Sequence, residues 1–213
     1  MDRWASFDCY GTLIDWDGGV RAELARVFGE ERADEQLVHY GAIEAELEQD
    51  GSRTYRDVMT EAMRALGAPA GSEHGLAESL PGWRPFPEVQ RALEELRGRG
   101  WKLAVLSNTD VDFIAASQVQ IGITFDEVVV AQEIASYKPA HRHWEEFFAR
   151  TRAPKEGHVH VAASQFHDIV PATELGLRSV WINRRGETAA ARPTRELADL
   201  FELPETLDEL VAA

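Results

Sequence analysis

The sequence predicts an α/β fold, a doubly wound parallel sheet interrupted by one helical insertion. Two observations carry this reading. Short apolar runs that end in polar residues recur along the chain with helical stretches between them, as buried parallel strands do when their carboxyl ends hold polar groups. The alternation then fails between residues 18 and 83, where only helix-period segments occur. The expected organisation is therefore a sheet-bearing core of residues 1–17 and 84–213, with residues 18–83 as a helical cap.

In chain order, Trp4-Ala5-Ser6-Phe7 forms the first strand and stops at Asp8. Residues 21–28, 33–48, 55–66 and 73–80 follow as helices; Ile43 with Leu47, and Val58 and Met59 with Ala62 and Met63, keep one apolar face. Pro81-Gly82-Trp83-Arg84-Pro85, with Pro87 beyond, marks the exit from the insertion. A helix over 88–99 leads to a strand over 103–106 that ends at Ser107 and Asn108. A helix over 110–120 precedes a strand over 128–131, and a helix over 140–151 precedes a strand over 159–163 that ends at Ser164. The last pair is a helix over 170–175 and a strand over 180–182. Ligands in such folds bind outside the carboxyl ends of the strands. An insertion placed just after the first strand overhangs that edge.

Charge narrows the function. Twenty-two Lys and Arg against 37 Asp and Glu leave a net charge of −15, which disfavours nucleic acid and anionic lipid as partners because both need a basic face. The single cysteine, Cys9, excludes an internal disulfide, a redox pair and a multi-cysteine zinc site. With neither a basic leader nor a membrane-length apolar run, a cytoplasmic enzyme or binding protein is expected. Its partner is then a small molecule, and a homodimer is left open.

Four places carry chemistry. In Phe7-Asp8-Cys9-Tyr10-Gly11-Thr12-Leu13 a carboxylate ends a strand and a glycine permits a sharp turn. Thr12 can place its hydroxyl on the carboxylate, which suits a nucleophile held rigid; the plainer reading is an Asp that caps a turn. Ser107 and Asn108 end the second strand and can hold an anion, or simply cap the helix before Val111. Lys138, in Ser136-Tyr137-Lys138-Pro139, is one of three lysines in a chain that otherwise uses arginine, so a compact ammonium is expected there unless it is a surface lysine. Ala163-Ser164-Gln165-Phe166-His167-Asp168 supplies a second strand-end carboxylate, and His167 is expected to line the cleft. His141, His143, His158 and His160 lack the spacing of a helical zinc pair and are expected to face solvent. The six tryptophans are expected in the core, and Cys9 is expected to be buried and turned away from Asp8.

Together these segments resemble the haloacid dehalogenase (HAD) superfamily over the whole chain. The resemblance implies a Rossmann-like core with a cap inserted after the first strand, and Asp8 as the nucleophile of an aspartyl-ester mechanism. Phosphatases of the superfamily carry a second aspartate where this chain has Tyr10. Asp-x-Tyr-Gly-Thr resembles the 2-haloacid dehalogenase branch, whose leaving halide needs no proton. The resemblance further implies that Lys138 pairs with Asp8, that Asp168 activates water, that Thr12 supports Asp8, and that Ser107 and Asn108 hold the substrate carboxylate. Tyr10, His39, Trp144, Gln165 and His167 are the expected substrate contacts. The chain departs from the branch at Ala163, Gln165 and Trp144, and at 39–41, where His39, Tyr40 and Gly41 stand instead of a carboxylate-binding arginine. Simple haloacids are therefore expected to be poor substrates, and the true substrate to be bulkier or to recruit Arg53, Arg56 or His39.

The resulting expectation is a hydrolase acting on a small 2-haloacid with no cofactor required. The alternatives are a magnesium-dependent phosphatase holding its ion with Asp8, the carbonyl of Tyr10 and Asp168, a hydrolase of another small carboxylic acid, and a non-catalytic binding protein.

Overall fold

Six strands form a single sheet: β1 (Arg3–Phe7), β2 (Trp101–Ser107), β3 (Glu127–Val130), β4 (His158–Ala162), β5 (Arg178–Ile182) and β6 (Arg195–Leu197). All neighbours are parallel, in the order β3-β2-β1-β4-β5-β6. The computed structural model describes residues 2–212, so Met1 and Ala213, the outermost ends of the expected core, lie outside it. The chain builds outward from β1 in one direction and then restarts beside it at β4. The carboxyl ends of β1 and β4 therefore flank the topological switch point, where a crevice opens. Phe7 is in register with both Val105 and Val161, which brings the residues just beyond three strands to one edge.

Four helices follow β1 ahead of residue 84: α1 (Trp16–Phe28), α2 (Ala33–Leu47), α3 (Tyr55–Ala65) and α4 (Gly75–Ser79). The core adds α5 (Val89–Gly98), α6 (Val111–Ile121), α7 (Ala131–Ile134), α8 (Arg142–Thr151), α9 (Val170–Glu174) and α10 (Leu203–Leu210). Strand alternation divides the apolar residues between the two faces of the sheet. Leu103 and Val105 of β2 pack with Phe113, Leu93 and Leu96 on one face, while Ala104 and Leu106 pack with Trp144 and Phe147 on the other. Burial on both faces is why the strands read as unbroken apolar runs.

The structure differs from the sequence expectation at identifiable places. Helix α1 starts at Trp16, ahead of its apolar pattern, because the Asp15 side chain accepts from the Gly18 amide at 3.0 Å. Ala131 begins α7 instead of ending a strand. Strand β6 and helix α10 were not expected; β6 is a short edge strand whose Arg195 and Glu196 are exposed, so it lacks an apolar signature.

The helical segment is anchored to the core by polar contacts. Asp110, 2% exposed before α6, accepts from the amides of Tyr55 at 2.8 Å and Arg56 at 3.0 Å, and so caps α3 from another part of the chain. Tyr137 donates its hydroxyl to the Arg53 carbonyl at 3.0 Å. Arg56 bonds to Asp112 and lies over the Phe113 ring. Asp110→Ala removes a charged acceptor from two helix-terminal amides, which should lower stability by about 1–3 kcal/mol. Urea unfolding checks this, and an unchanged midpoint would refute the anchoring role.

Candidate active site

Asp8 leaves β1 into a turn that Gly11 makes with a φ of 86°, a conformation other residues adopt with strain. Its Oδ2 accepts from Thr12 Oγ1 at 2.7 Å. The Thr12 hydroxyl in turn accepts from the Ala163 amide beyond β4 at 2.9 Å, which fixes both. Oδ1 accepts from Lys138 Nζ at 2.9 Å. Lys138 spends its other two ammonium protons on Asp168 Oδ1 at 2.7 Å and the Leu106 carbonyl at 2.9 Å. Burial opposes its charge, but Asp168 and Asp8 outweigh burial and hold the ammonium above the usual lysine range. Burial likewise acts to raise Asp168, and Lys138 with His160 overcomes it, leaving the carboxyl well below its usual range.

Each group is held from behind. Asn108 Oδ1 accepts from the Lys138 amide at 2.7 Å, and its Nδ2 donates to the Lys138 carbonyl at 3.0 Å, so one side chain clamps the lysine backbone. Asp168 sits in a wide helical turn, Gln165–Ile169, started by Ser164, whose Oγ accepts from the His167 amide at 3.0 Å. His160 Nε2 meets Asp168 Oδ1 at 3.0 Å, and Ser6 Oγ lies 2.8 Å from both His160 Nδ1 and His158 Nε2.

A cavity of about 630 Å³ opens over these groups. Asp8, Tyr10, Ser107, Asn108, Lys138, Gln165, His167 and Asp168 line it, together with Trp16, Glu44, Glu48 and Tyr55 from the inserted helices and Phe86 and Arg184 from the core. Ser107 Oγ, Asp168 Oδ2 and Gln165 Nε2 are buried without partners. Tyr10 bonds to Ser117 Oγ at 3.0 Å and stacks on Tyr55; burial pushes its phenol well above the usual range. Gln165 Oε1 accepts from the Ala190 and Ala191 amides and so ties down that loop.

Several expected residues lie elsewhere. His39 is exposed on α2 and does not line the cavity. Trp144 is buried beneath the sheet, its ring against His160. Arg53 is taken by Asp50 and Glu61, and Arg56 by Asp112. His143, His158 and His160 are buried, against the expectation of solvent exposure: β4 is covered on both faces, and His143 on α8 sets its Nε2 3.2 Å from the Ser107 carbonyl; only His141 of the four meets a surface partner, Glu174. Trp16 departs from the expected core and lines the cavity.

The sequence reading missed Glu44 and Glu48. Glu44 Oε1 accepts from the hydroxyls of Tyr55 at 2.7 Å and Tyr40 at 3.0 Å. Glu48 Oε2 accepts from Asn108 Nδ2 at 3.1 Å and lies 3.5 Å from His167 Nε2. Burial pushes Glu44 up to about 7, and burial with the charge of Glu44 pushes Glu48 well above its usual range. Their i, i+4 spacing is the only signal the sequence offered, and it is also that of a solvated helix face. Arg184, also missed, donates to the Thr12 carbonyl at 2.9 Å, pairs with Glu88 at 2.8 Å and lies flat on Phe86.

Residues 7–182 match the family described as haloacid dehalogenase-like hydrolase. The chain belongs to that family. A curated relative, an (S)-2-haloacid dehalogenase of Pseudomonas putida, is 25% identical over 94% of this chain and 96% of its own. Among solved structures, an L-2-haloacid dehalogenase superposes with a TM-score of 0.88 at 23% identity, covering 97% of this chain and 99% of that one. An L-2-haloacid dehalogenase from Xanthobacter autotrophicus with chloropropionic acid covalently bound gives a TM-score of 0.84 at 21% identity, covering 97% and 98%. This haloacid dehalogenase-like hydrolase thus shares its sheet order and inserted helices with them as a fold.

The raised Glu44 has a measurable consequence. Between its unfolded value near 4.5 and its folded value of about 7, the folded chain keeps a proton that the unfolded chain releases, so stability falls as pH rises. Neutral His143, pushed down to about 3 by burial, and His158, also lowered, act in the opposite sense below about pH 6.5. Comparison with Glu44→Gln cancels them. The variant should gain up to about 3 kcal/mol over wild type at pH 8, and the gain should vanish near pH 4.5. Denaturant melts of both proteins across this range check it; a pH-independent difference refutes it.

Proposed function

We propose that this enzyme hydrolyses the carbon–halogen bond of a small 2-haloacid through an ester on Asp8. The observation that carries this reading is the constellation around one buried ammonium: Asp8 and Asp168 share Lys138, and no second acid stands near Asp8 at the Tyr10 position. A leaving halide needs no proton, and a phenol held by Ser117 with its pKa pushed up is no acid.

An Asp8 oxygen attacks the carbon bearing the halogen, the carbon–halogen bond breaks, and halide leaves with the electron pair. Thr12 and Lys138 hold the carboxylate still for that attack. Water then adds to the carboxyl carbon of the Asp8 ester while Asp168, whose Oδ2 is unengaged, takes its proton. Lys138 offsets the oxyanion, and on collapse the bond from the Asp8 carboxyl carbon to the alkyl oxygen breaks, that oxygen takes the proton back from Asp168, and the product leaves as a hydroxy acid that carries an oxygen from Asp8. Ser107 Oγ is the free hydroxyl for the substrate carboxylate, with Asn108, Tyr10, Gln165 and His167 forming the walls. The helices of residues 18–83 act as the cap that keeps bulk water from the ester.

A magnesium-dependent phosphatase is the second reading, and Tyr10 counts against it: the leaving group of a phosphate ester needs a proton donor, and the phenol that stands in place of the second aspartate is held by Ser117 and pushed well above its usual range by burial.

Single turnover of 2-chloropropionate in oxygen-18 water should label Asp8 and leave the product unlabelled, with label reaching product only in later turnovers; label in the first product would mean direct attack by water. Asp8→Asn should be inactive. Chloride release should be unchanged by EDTA, and a loss restored by magnesium would transfer the assignment to the phosphatase.

A further inference from the structure

The charges of the cavity do not match a simple haloacid anion. Its cations are engaged: Lys138 with Asp8 and Asp168, Arg184 with Glu88 and the face of Phe86, and Arg185 with Asp17. Glu44 and Glu48 face the same space from α2. Among the described residues neither has a lysine or arginine within ion-pair distance; their contacts are the Tyr40 and Tyr55 hydroxyls, the Asn108 amide and the His167 ring. A substrate with only a carboxylate would meet two carboxyls and no free guanidinium. On the core side Ser107, 1% exposed, presents an unpartnered hydroxyl to the cavity. The lining thus offers a donor for a carboxylate at Ser107 and two acidic groups beside the aromatic rings of Trp16 and Tyr55.

We propose that Glu44 and Glu48 are the specificity wall of this site and select a substrate carrying a cationic nitrogen in addition to the carboxylate next to the reacting carbon. The proposal rests on the dehalogenase reading and narrows its substrate class to ω-amino 2-haloacids and their analogues. An ammonium supplies the partner the two carboxyls lack and draws both into their ionised form. The Trp16 and Tyr55 rings flank the same space and suit a cation on their faces. The chemical step is unchanged: Asp8 displaces halide from the carbon next to the carboxylate, and the nitrogen takes no part in bond making.

A matched pair of compounds tests it. 2-Chlorobutyrate and 4-amino-2-chlorobutyrate differ only by the ammonium, and chloride release over a buffer blank reports both. Wild type should favour the amino compound in kcat/KM by about tenfold or more, the scale of one charged hydrogen bond. Glu48→Gln and Glu44→Gln should each cut that preference, since each removes a carboxyl that the ammonium draws into its ionised form. A wild-type preference for 2-chlorobutyrate, with either variant slower on it, would mean that the protonated carboxyls serve as donors to the substrate carboxylate, and the proposal would fall. A preference for the amino compound that survives in both variants would overturn it as well. Chloride from neither compound would overturn the dehalogenase reading and this inference with it.

Discussion

An ammonium buried to 1% exposure of its side chain, with all three protons spent, sets the terms for this molecule. Lys138 touches the carboxylate after β1, a carbonyl of β2 and the carboxylate in the turn after β4. Those partners come from strands far apart in sequence and adjacent in the sheet. Burying a charge costs several kcal/mol unless its partners are complete, so the three must arrive together. The parallel register that aligns Phe7 with Val105 and Val161 is what brings them. The same triad sets the carboxylate proposed as nucleophile against a fixed ammonium, so one arrangement serves both folding and the proposed reaction.

Around it the inserted helices are held by backbone groups and acids and not by packing alone. Asp110 caps α3, Tyr137 holds the Arg53 carbonyl, and Asn108 binds Glu48 with the same amide nitrogen that binds Lys138. Asn108 is therefore the point where the helical segment and the charge centre meet. Losing the Glu48 contact would leave the lysine backbone clamped by the Asn108 oxygen, so the two tasks of that side chain separate cleanly.

The strands and the nucleophile's turn were legible because burial on both faces leaves unbroken apolar runs, and because Asp8, Gly11 and Thr12 lie within one short segment. Lys138 stood out as a lysine in a chain of arginines. What stayed hidden depends on pairing across the fold. Polar residues in β4 read as a wet face, yet His158 Nε2 and His160 Nδ1 both meet Ser6 on the neighbouring strand. Glu44 and Glu48 have the spacing of a surface helix face, and only the approach of α2 to the sheet edge turns them inward. Trp144, expected as a substrate contact, is a core residue because α8 packs under the sheet. Arg184 lies beyond the last motif, on a loop with no pattern of its own.

The line from Asp168 through His160 and Ser6 to His158 has a direction. An ionised Asp168 can only accept, so His160 Nε2 carries a hydrogen; in the neutral tautomer with that hydrogen Nδ1 is bare and takes the hydrogen of Ser6. Ser6 must accept from His158 Nε2, which leaves His158 Nδ1 bare, and that atom is the one with no partner. Proton order is thus written into the sheet. Ser6 stands opposite His160 because β1 and β4 pair in one register, and a slip by one residue would scramble every hydrogen behind Asp168. Strand alignment and acid–base polarity are here a single specification, held in a part of the protein that substrate never touches.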